Sequence, residues 1–176
     1  MAHGIKTEAI VLKKRQLLQK DVLITLLTQE HGKVSVIAKG IKNITSKRAP
    51  HIQTGNLLNV ALSDRGHVFY LQGTDLISAF SAIRDNNEKI NRLYTFLFII
   101  DRILPEAQEE PQIYNLVKSF MIEVARSTGD LNDFLRIYLQ KMLQILGYLQ
   151  EQLTLVELVR MIEELINEKV PLHAII

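Results

Sequence analysis

The spacing of apolar residues changes once along this chain, near residue 80, and this change constrains the fold more than any other feature. From residue 5 to about residue 77, short runs rich in β-branched residues alternate with turn residues, a spacing typical of an all-β barrel or sandwich. After Phe80 the apolar residues recur at the helical period of 3.6. The pattern predicts an α+β chain with a β domain over residues 1–80 and an all-α domain over residues 81–176.

Five strands are predicted in the β region. Gly32 and Gly66 lie where tight hairpin turns need a residue that tolerates positive φ. The longer link from Gly40 to Gly55 carries Pro50 and several cationic residues and is predicted to be an exposed loop, in part helical. A five-stranded region of about 75 residues has the size of an OB-fold, although SH3-like barrels and small sandwiches give similar patterns. The predicted strands are Thr7–Arg15, Asp21–Thr28, Lys33–Lys39, Asn56–Ser63 and His67–Ile77.

Four helices are predicted after residue 80, and residues typical of helix ends mark the first two of them. Asp85 or Asn86 is expected to cap the first helix. Pro111 is a favoured first-turn residue for the second helix, which Gly129 ends.

The last two predicted helices have clear start signals. Asp130 is expected to cap the third, and Gly147 supplies the left-handed residue that commonly follows a helix. Thr154 with Glu157 three residues later forms a capping-box pattern at the start of the fourth, which is predicted to run until Pro171 stops it.

The composition excludes several classes of site. The chain has no cysteine, so it has no disulfide, no thiolate zinc site and no cysteine nucleophile. No apolar run reaches the roughly 18 residues that a bilayer-spanning helix needs. The N-terminus does not fit a secretory signal. We therefore expect a cytoplasmic protein that does not bind membranes.

No catalytic constellation can be assembled from the sequence. Glu106, Glu109 and Glu110 are interpreted as a linker between helices, and no glycine-rich motif for a nucleotide phosphate is present. We expect neither an enzyme nor a bound cofactor, metal or small-molecule substrate. The five histidines share no helical i, i+4 spacing that would suggest a metal site, and they are His3, His31, His51, His67 and His173.

The charges are distributed unevenly along the chain. Residues 1–80 hold 11 Lys or Arg against 5 Asp or Glu, whereas residues 81–176 hold 10 against 14. A basic domain joined to an acidic one favours a polyanion as the partner of the first. Surface charges that only solvate the protein would give the same count, so composition leaves both interpretations open.

Several motifs in the first half resemble the RecO family. The run DVLITLLTQEHGK at Asp21–Lys33 is followed by AKG at Ala38–Gly40 and SKR at Ser46–Arg48, and this combination is similar to that of the family. The similarity begins at Ile10–Arg15 and extends to YLQGTDLISAF at Tyr70–Phe80. It reaches Leu146, Gly147 and Tyr148 at the end of a family helix, and so covers most of the chain.

The resemblance implies an OB-fold and a recombination mediator in DNA repair. Members of the family bind single- and double-stranded DNA and anneal complementary strands. They cooperate with RecR in loading RecA onto strands coated by single-strand-binding protein, and no catalysis is implied. A nucleoid-associated location in the cytoplasm would follow. Many members carry a four-cysteine zinc module after the Leu-Gly-Tyr point, whereas here Leu149–Gln152 runs directly into the last predicted helix.

Two clusters of cations are the candidate nucleic-acid-binding residues. One closes the first predicted strand, and the other follows the third. Cations on exposed segments bind phosphates and release condensed counterions, which contributes affinity independent of base sequence. A solvated loop kept charged for solubility is the alternative interpretation. The predicted residues are Lys13, Lys14, Arg15, Lys33, Lys39, Lys42, Lys47 and Arg48.

The scarcity of aromatic residues predicts how the domain holds a strand. The first 80 residues contain only Phe69, Tyr70 and Phe80, and the chain has no tryptophan. A base-stacking platform is therefore not expected, and a grip on the backbone would leave base edges free for annealing. Tyr70→Ala is expected to matter little for affinity.

The helical domain is expected to offer a groove for the acidic, aromatic tail of single-strand-binding protein, which the resemblance implies as a partner. A protein-binding adaptor whose OB-fold recognises a protein instead of DNA is the alternative function. The cations available for such a groove are Arg92, Arg102, Lys118, Arg126, Arg136 and Lys141.

Overall fold

A computed structural model describes residues 4–17, 21–41, 48–66 and 68–171 of the chain. The chain divides into two compact units. The first comprises Met1–Ala79 together with Leu104–Pro111, and the second comprises Phe80–Ile103 together with Gln112–Ile176. A segment that lies between two helices in sequence therefore belongs to the β unit.

The first unit is a closed five-stranded barrel in the order β1-β2-β3-β5-β4. All pairs are antiparallel except β3 with β5, which are parallel. This is the Greek-key barrel expected of an OB-fold, and the predicted fold class is confirmed. The strands are β1 (Gly4–Gln16), β2 (Val22–Thr28), β3 (Gly32–Ala38), β4 (Leu57–Asp64) and β5 (Phe69–Ser78).

Alternation along the strands decides which side chains face the barrel core. In β2 and β3 the core residues are every second one, as at Ile24 and Val36, and the residues between them point outward. A β-bulge in β1 between Val11 and Lys13 changes the alternation there. Lys13 and Arg15 consequently pair with the outward Thr25 and Leu23, and these two residues of β1 continue the outer surface of the sheet.

The link between β3 and β4 differs from the predicted exposed loop where it is described. Ile41 and Ile52 are buried, and both belong to the core cluster of the barrel. Asn56 Nδ2 donates to the carbonyl of His51 at 2.7 Å and holds the turn before β4. An apolar barrel core needs cover at its open end, so part of this link packs against the core instead of lying in solvent.

A segment from the helical half of the sequence completes the barrel unit. This segment, Leu104–Pro111, is called the strap. Its Ala107 N–H donates to the carbonyl of Lys33 at 2.8 Å, and Glu106 forms a parallel bridge with Lys33. Because β3 pairs with β5 only at Val36 and Ile37, the strap supplies a partner to the first part of β3.

The second unit is helical, and its predicted start signals are confirmed. Asn86 Oδ1 accepts hydrogen bonds from the N–H groups of Glu88 and Lys89, and Asp130 caps its helix by accepting from Asn132. Helix α1 was not predicted, because a single turn has no apolar period to detect. The helices are α1 (Ser81–Arg84), α2 (Asn87–Ile103), α3 (Pro111–Arg126), α4 (Leu131–Ile145) and α5 (Leu155–Ile166).

An aromatic cluster forms part of the helical core. The ring of Phe96 lies 4.3 Å from that of Phe120 and 6.2 Å from that of Tyr138, and all three are buried. Burial raises the pKa of the Tyr138 hydroxyl, and the Glu123 carboxylate that it bonds raises it further.

In the part of the chain that the structure describes, no helix is both long and apolar enough to cross a membrane.

Helix α5 ends earlier than the sequence pattern predicts. Its last residue is Ile166, and Asn167 adopts the left-handed conformation at φ 51°, so the prediction that Pro171 stops the helix is wrong. After this turn the Glu163 carboxylate accepts from the Val170 N–H at 3.0 Å and from Lys169 Nζ at 2.5 Å. Asn tolerates the left-handed region and can therefore end a helix as glycine does.

We expect Thr154→Ala to lower the free energy of unfolding by about 1 kcal/mol, because both halves of the α5 capping box are present. The hydrogen bonds from Thr154 lower the pKa of Glu157. A carboxylate with a lowered pKa stabilises the folded state above the ordinary glutamate pKa, and this contribution is lost as the pH falls through the lowered value. Denaturant titrations at neutral and acidic pH, with Glu164→Gln as the control, measure this effect. An equal loss for Thr154→Ala at both pH values would contradict a role for the Glu157 charge.

Candidate nucleic-acid interface

Four outward residues lie in register across four strands of the barrel. Arg15 pairs with Leu23, Leu23 pairs with Ile37, and Ile37 pairs with Tyr70. We call this set the outer row. Residues directly opposite each other share one face of a sheet. At about 4.8 Å between strands, the row is roughly 14 Å long, a length that about four stacked nucleotides cover.

The outer row is apolar in the middle and cationic at its ends. Leu23, Ile37 and Tyr70 are each partly exposed, and Arg15 is exposed at the β1 end. At the other end the Nζ of Lys39 lies 4.9 Å from the centroid of the Tyr70 ring, and the guanidinium carbon of Arg65 lies 5.4 Å from it. Cations at these distances are attracted to the ring, so Tyr70 fixes two positive charges from two different turns.

A second row runs beside the first. It consists of Lys13, Thr25 and Ser35, which are also paired in register. Exposure decreases from the outer row through the second row and beyond it. Thr25 is buried, and so are the next outward residues, Leu27 and Lys33. The accessible part of the β2–β3 surface is therefore the outer row, its two flanking ends, and the exposed Lys13 at the β1 end of the second row.

Three of the sequence-predicted cations belong to this accessible surface. Lys13 and Arg15 are exposed on the outward side of β1, and Lys39 is exposed in the turn after β3. They come from two separate clusters in sequence. The pairing of β1 with β2 and of β2 with β3 brings both clusters to one side of the barrel.

The structure places three other predicted cations elsewhere. Lys14 pairs with the core residue Ile24, and its Nζ donates to Gln53 Oε1 at 2.6 Å. Lys33 is only 8% exposed, with its carbonyl bonded to the strap. Arg48 donates to two main-chain carbonyls of the barrel. Lys42 and Lys47 lie outside the described residues.

Arg48 connects two parts of the barrel. Its Nη1 donates to the carbonyl of Leu71 in β5 at 2.9 Å, and its Nη2 donates to the carbonyl of Lys39 at 3.0 Å. A planar guanidinium can hold two acceptors at fixed positions, which an ammonium group cannot do. The side chain thus joins β5 to the turn that carries Lys39, close to the point where β3 and β5 pair.

We expect Arg48→Met to lower the free energy of unfolding by about 2 kcal/mol, since charge-assisted hydrogen bonds to main-chain carbonyls are lost. Arg48→Lys should restore only part of this stability. Guanidinium titrations followed by far-UV circular dichroism measure the change. Lys14→Met is the control, because the hydrogen bond from Lys14 to Gln53 lies in solvent and its loss should cost little. Equal losses for Arg48→Met and Lys14→Met would contradict the role of Arg48.

Sequence reasoning missed Arg65 and the apolar members of the outer row. Arg65 precedes Gly66 in the turn between β4 and β5, and this loop is one of those through which OB-folds bind ligands. The predicted OB-fold is the signal that could have found Arg65, because it places this loop beside the β2–β3 face. Leu23 and Ile37 could be placed outward only once the strand registers were known.

One of the five histidines has a side-chain contact within the barrel unit. His51 Nδ1 lies 2.9 Å from Thr74 Oγ1, while His3, His67 and His173 lie outside the described residues. Among the residues that the structure describes, no three His, Asp or Glu side chains are grouped so that they could hold a metal ion.

The cations considered for a groove in the helical unit differ in accessibility. Arg92 is 3% exposed and donates to Asn132 Oδ1 at 2.9 Å. Arg102 binds Asp101 and Glu168, and its hydrogen bond to Glu168 raises the pKa of the guanidinium. Others have partners on their own helix or remain at least partly exposed: Lys118, Arg126, Arg136 and Lys141.

Comparison with known proteins gives a consistent family relationship. Residues 1–80 match the family model described as the N-terminal part of recombination protein O. The chain is 28% identical over 145 residues to the DNA repair protein RecO of Caldanaerobacter subterraneus, with 82% of the chain and 59% of that relative covered. It is 29% identical over 146 residues to the DNA repair protein RecO of Geobacter metallireducens, with 83% and 59% covered. The chain thus spans about three fifths of the length of these curated relatives.

Proposed function

We propose that this chain is a member of the RecO family of DNA repair proteins, which its matches support, and that its barrel unit binds the backbone of DNA strands on the outer row, as part of a recombination mediator. The observation that supports this proposal is the arrangement of Arg15, Lys39 and Arg65 at the two ends of one in-register row. Exposed cations at both ends of a row about 14 Å long can bind phosphates of one strand that lie a few nucleotides apart.

The same arrangement supports annealing as the consequence of binding. The Tyr70 ring is engaged by Lys39 and Arg65, so its role in this proposal is to position cations and not to stack bases. A strand held by its phosphates keeps its base edges available, and a complementary strand can pair with it. We include three further roles in this proposal, because the similarity to the RecO family supports them. They are cooperation with RecR, loading of RecA, and binding to the tail of single-strand-binding protein.

A fluorescence anisotropy titration with a labelled single-stranded oligonucleotide, at about 50 mM and 200 mM salt, tests the proposal. Binding by counterion release predicts a steep linear loss of log affinity with log salt concentration. A strand-annealing assay with two complementary oligonucleotides tests the second step. Absence of binding at the lower salt concentration would overturn DNA binding and favour the protein-binding adaptor.

A further inference from the structure

The strap places a carboxylate at the edge of the proposed DNA-binding surface. Glu106 is exposed, and its Oε1 accepts a hydrogen bond of 2.7 Å from the Oγ of Ser35. Ser35 belongs to the second row and lies two residues before Ile37 on the same face of β3. A negative charge from the helical half of the sequence therefore lies beside the cationic surface.

Two main-chain contacts with the barrel fix the strap directly after this carboxylate. The residue after it, Ala107, donates its N–H to the carbonyl of Lys33 at 2.8 Å. Gln108 packs its main chain against Gly32, where a Cβ atom would lie 2.6 Å from the Gln108 carbonyl carbon. Glu106 is thus part of the barrel surface and not a loosely attached side chain of a linker.

A phosphate approaching this part of the surface meets two obstacles. Neighbouring strands are about 4.8 Å apart, so the Glu106 carboxylate lies within roughly one Debye length of any phosphate bound at Ile37 or Lys13. The Ser35 hydroxyl, which could otherwise donate to a phosphate oxygen, already donates to the carboxylate.

We propose that Glu106 sets the path of the DNA strand by excluding its backbone from the Ser35 end of the β2–β3 surface. The strand is then confined to the outer row between Arg15 and Tyr70, and its affinity is lower than the cations alone would give. This inference rests on the proposed function, since it concerns the same surface and the same ligand.

Glu106→Gln is the test variant, because glutamine keeps the shape and can still accept a hydrogen bond from Ser35. In the anisotropy titration at about 50 mM salt, we expect affinity for a single-stranded oligonucleotide to rise about three- to fivefold. The gain should shrink toward zero at about 1 M salt, where the Debye length is about 3 Å.

Two controls separate the local effect from a general change in charge. Asp75→Asn makes the same charge change on the part of β5 that pairs with β4, away from the β2–β3 surface, and should change affinity less than twofold. Ser35→Ala breaks the hydrogen bond but keeps the carboxylate, so it should produce no comparable gain.

The outcomes distinguish this inference from the proposed function. Binding by the unaltered chain, with no gain for Glu106→Gln or with an equal gain for Asp75→Asn, overturns the role of Glu106 alone. Absence of any binding by the unaltered chain at low salt overturns the proposed function and this inference with it. A selective, salt-sensitive gain for Glu106→Gln supports both.

Discussion

Gly32→Ala is expected to lower the free energy of unfolding of the barrel unit by about 3 to 4 kcal/mol. Gly32 has φ 64°, a left-handed conformation that costs an alanine about 1 to 2 kcal/mol. Its new Cβ would also overlap the carbonyl of Gln108. Because both the left-handed turn and the strap are main chain, neither can move aside as a flexible side chain would, and overpacking adds a further 1 to 3 kcal/mol.

Gly66→Ala is the matched control for this prediction. Gly66 has nearly the same φ, 65°, but a Cβ atom there would meet nothing within 4 Å. Its substitution should therefore lower the free energy of unfolding only by the penalty for alanine in the left-handed conformation, about 1 to 2 kcal/mol. Denaturant titrations of both variants measure the difference. Equal losses would show that the strap does not pack against Gly32.

Hydrogen exchange gives an independent measurement of the same prediction. The Ala107 amide, which donates to the carbonyl of Lys33, should exchange faster in Gly32→Ala than in Gly66→Ala if the strap is displaced. An unchanged protection of this amide in Gly32→Ala would contradict the expected displacement.

The second large effect is expected from removing the cations of the outer row. The combined substitution of Arg15, Lys39 and Arg65 by alanine should weaken DNA binding about 30- to 100-fold at about 50 mM salt. The slope of log affinity against log salt should become shallower by about 2 to 3, because up to three phosphate contacts are lost.

A control with the same change in net charge shows whether position matters. Lys6, Arg126 and Arg160 are exposed cations outside the β2–β3 surface, and their combined substitution by alanine removes three positive charges as well. This variant should keep the salt slope of the unaltered chain. Equal losses for the two triple variants would mean that net charge, and not the outer row, governs binding.

Tyr70 separates phosphate binding from base stacking within the same experiment. If the ring only positions Lys39 and Arg65, Tyr70→Ala should cost at most a few fold and Tyr70→Phe almost nothing. If Tyr70→Ala loses as much affinity as the triple variant, the barrel binds DNA by stacking bases on this ring and not by contacting phosphates.

The local elements of this protein could be predicted from its sequence to within a few residues. Each of the five strands was predicted, and so were the caps at Asp130 and Thr154, while the predicted cap at Asp85 or Asn86 is Asn86. These features depend on near neighbours along the chain, such as a polar side chain that reaches an N–H group two or three residues away. The early end of α5 at Asn167 was missed because proline is the stronger sequence signal for a helix end.

The candidate site could be predicted only in part. Lys13, Arg15 and Lys39 were recognised as cations on suitable segments, but Arg48 and Lys33 belong to the same sequence clusters and are engaged in the barrel itself. Sequence gives no sign of this difference, because it depends on which carbonyl or strand lies within reach after folding.

Local sequence alone determined the strands, the helix starts, the basic first half and the need for glycine in the turn at residue 32. Only the tertiary structure decided which cations share a surface and that Glu106, more than 70 residues from Ser35, lies beside them. The physical reason is that turns and caps are governed by contacts a few residues apart. A surface is assembled by strand register and closure of the barrel, which join residues that are distant in sequence.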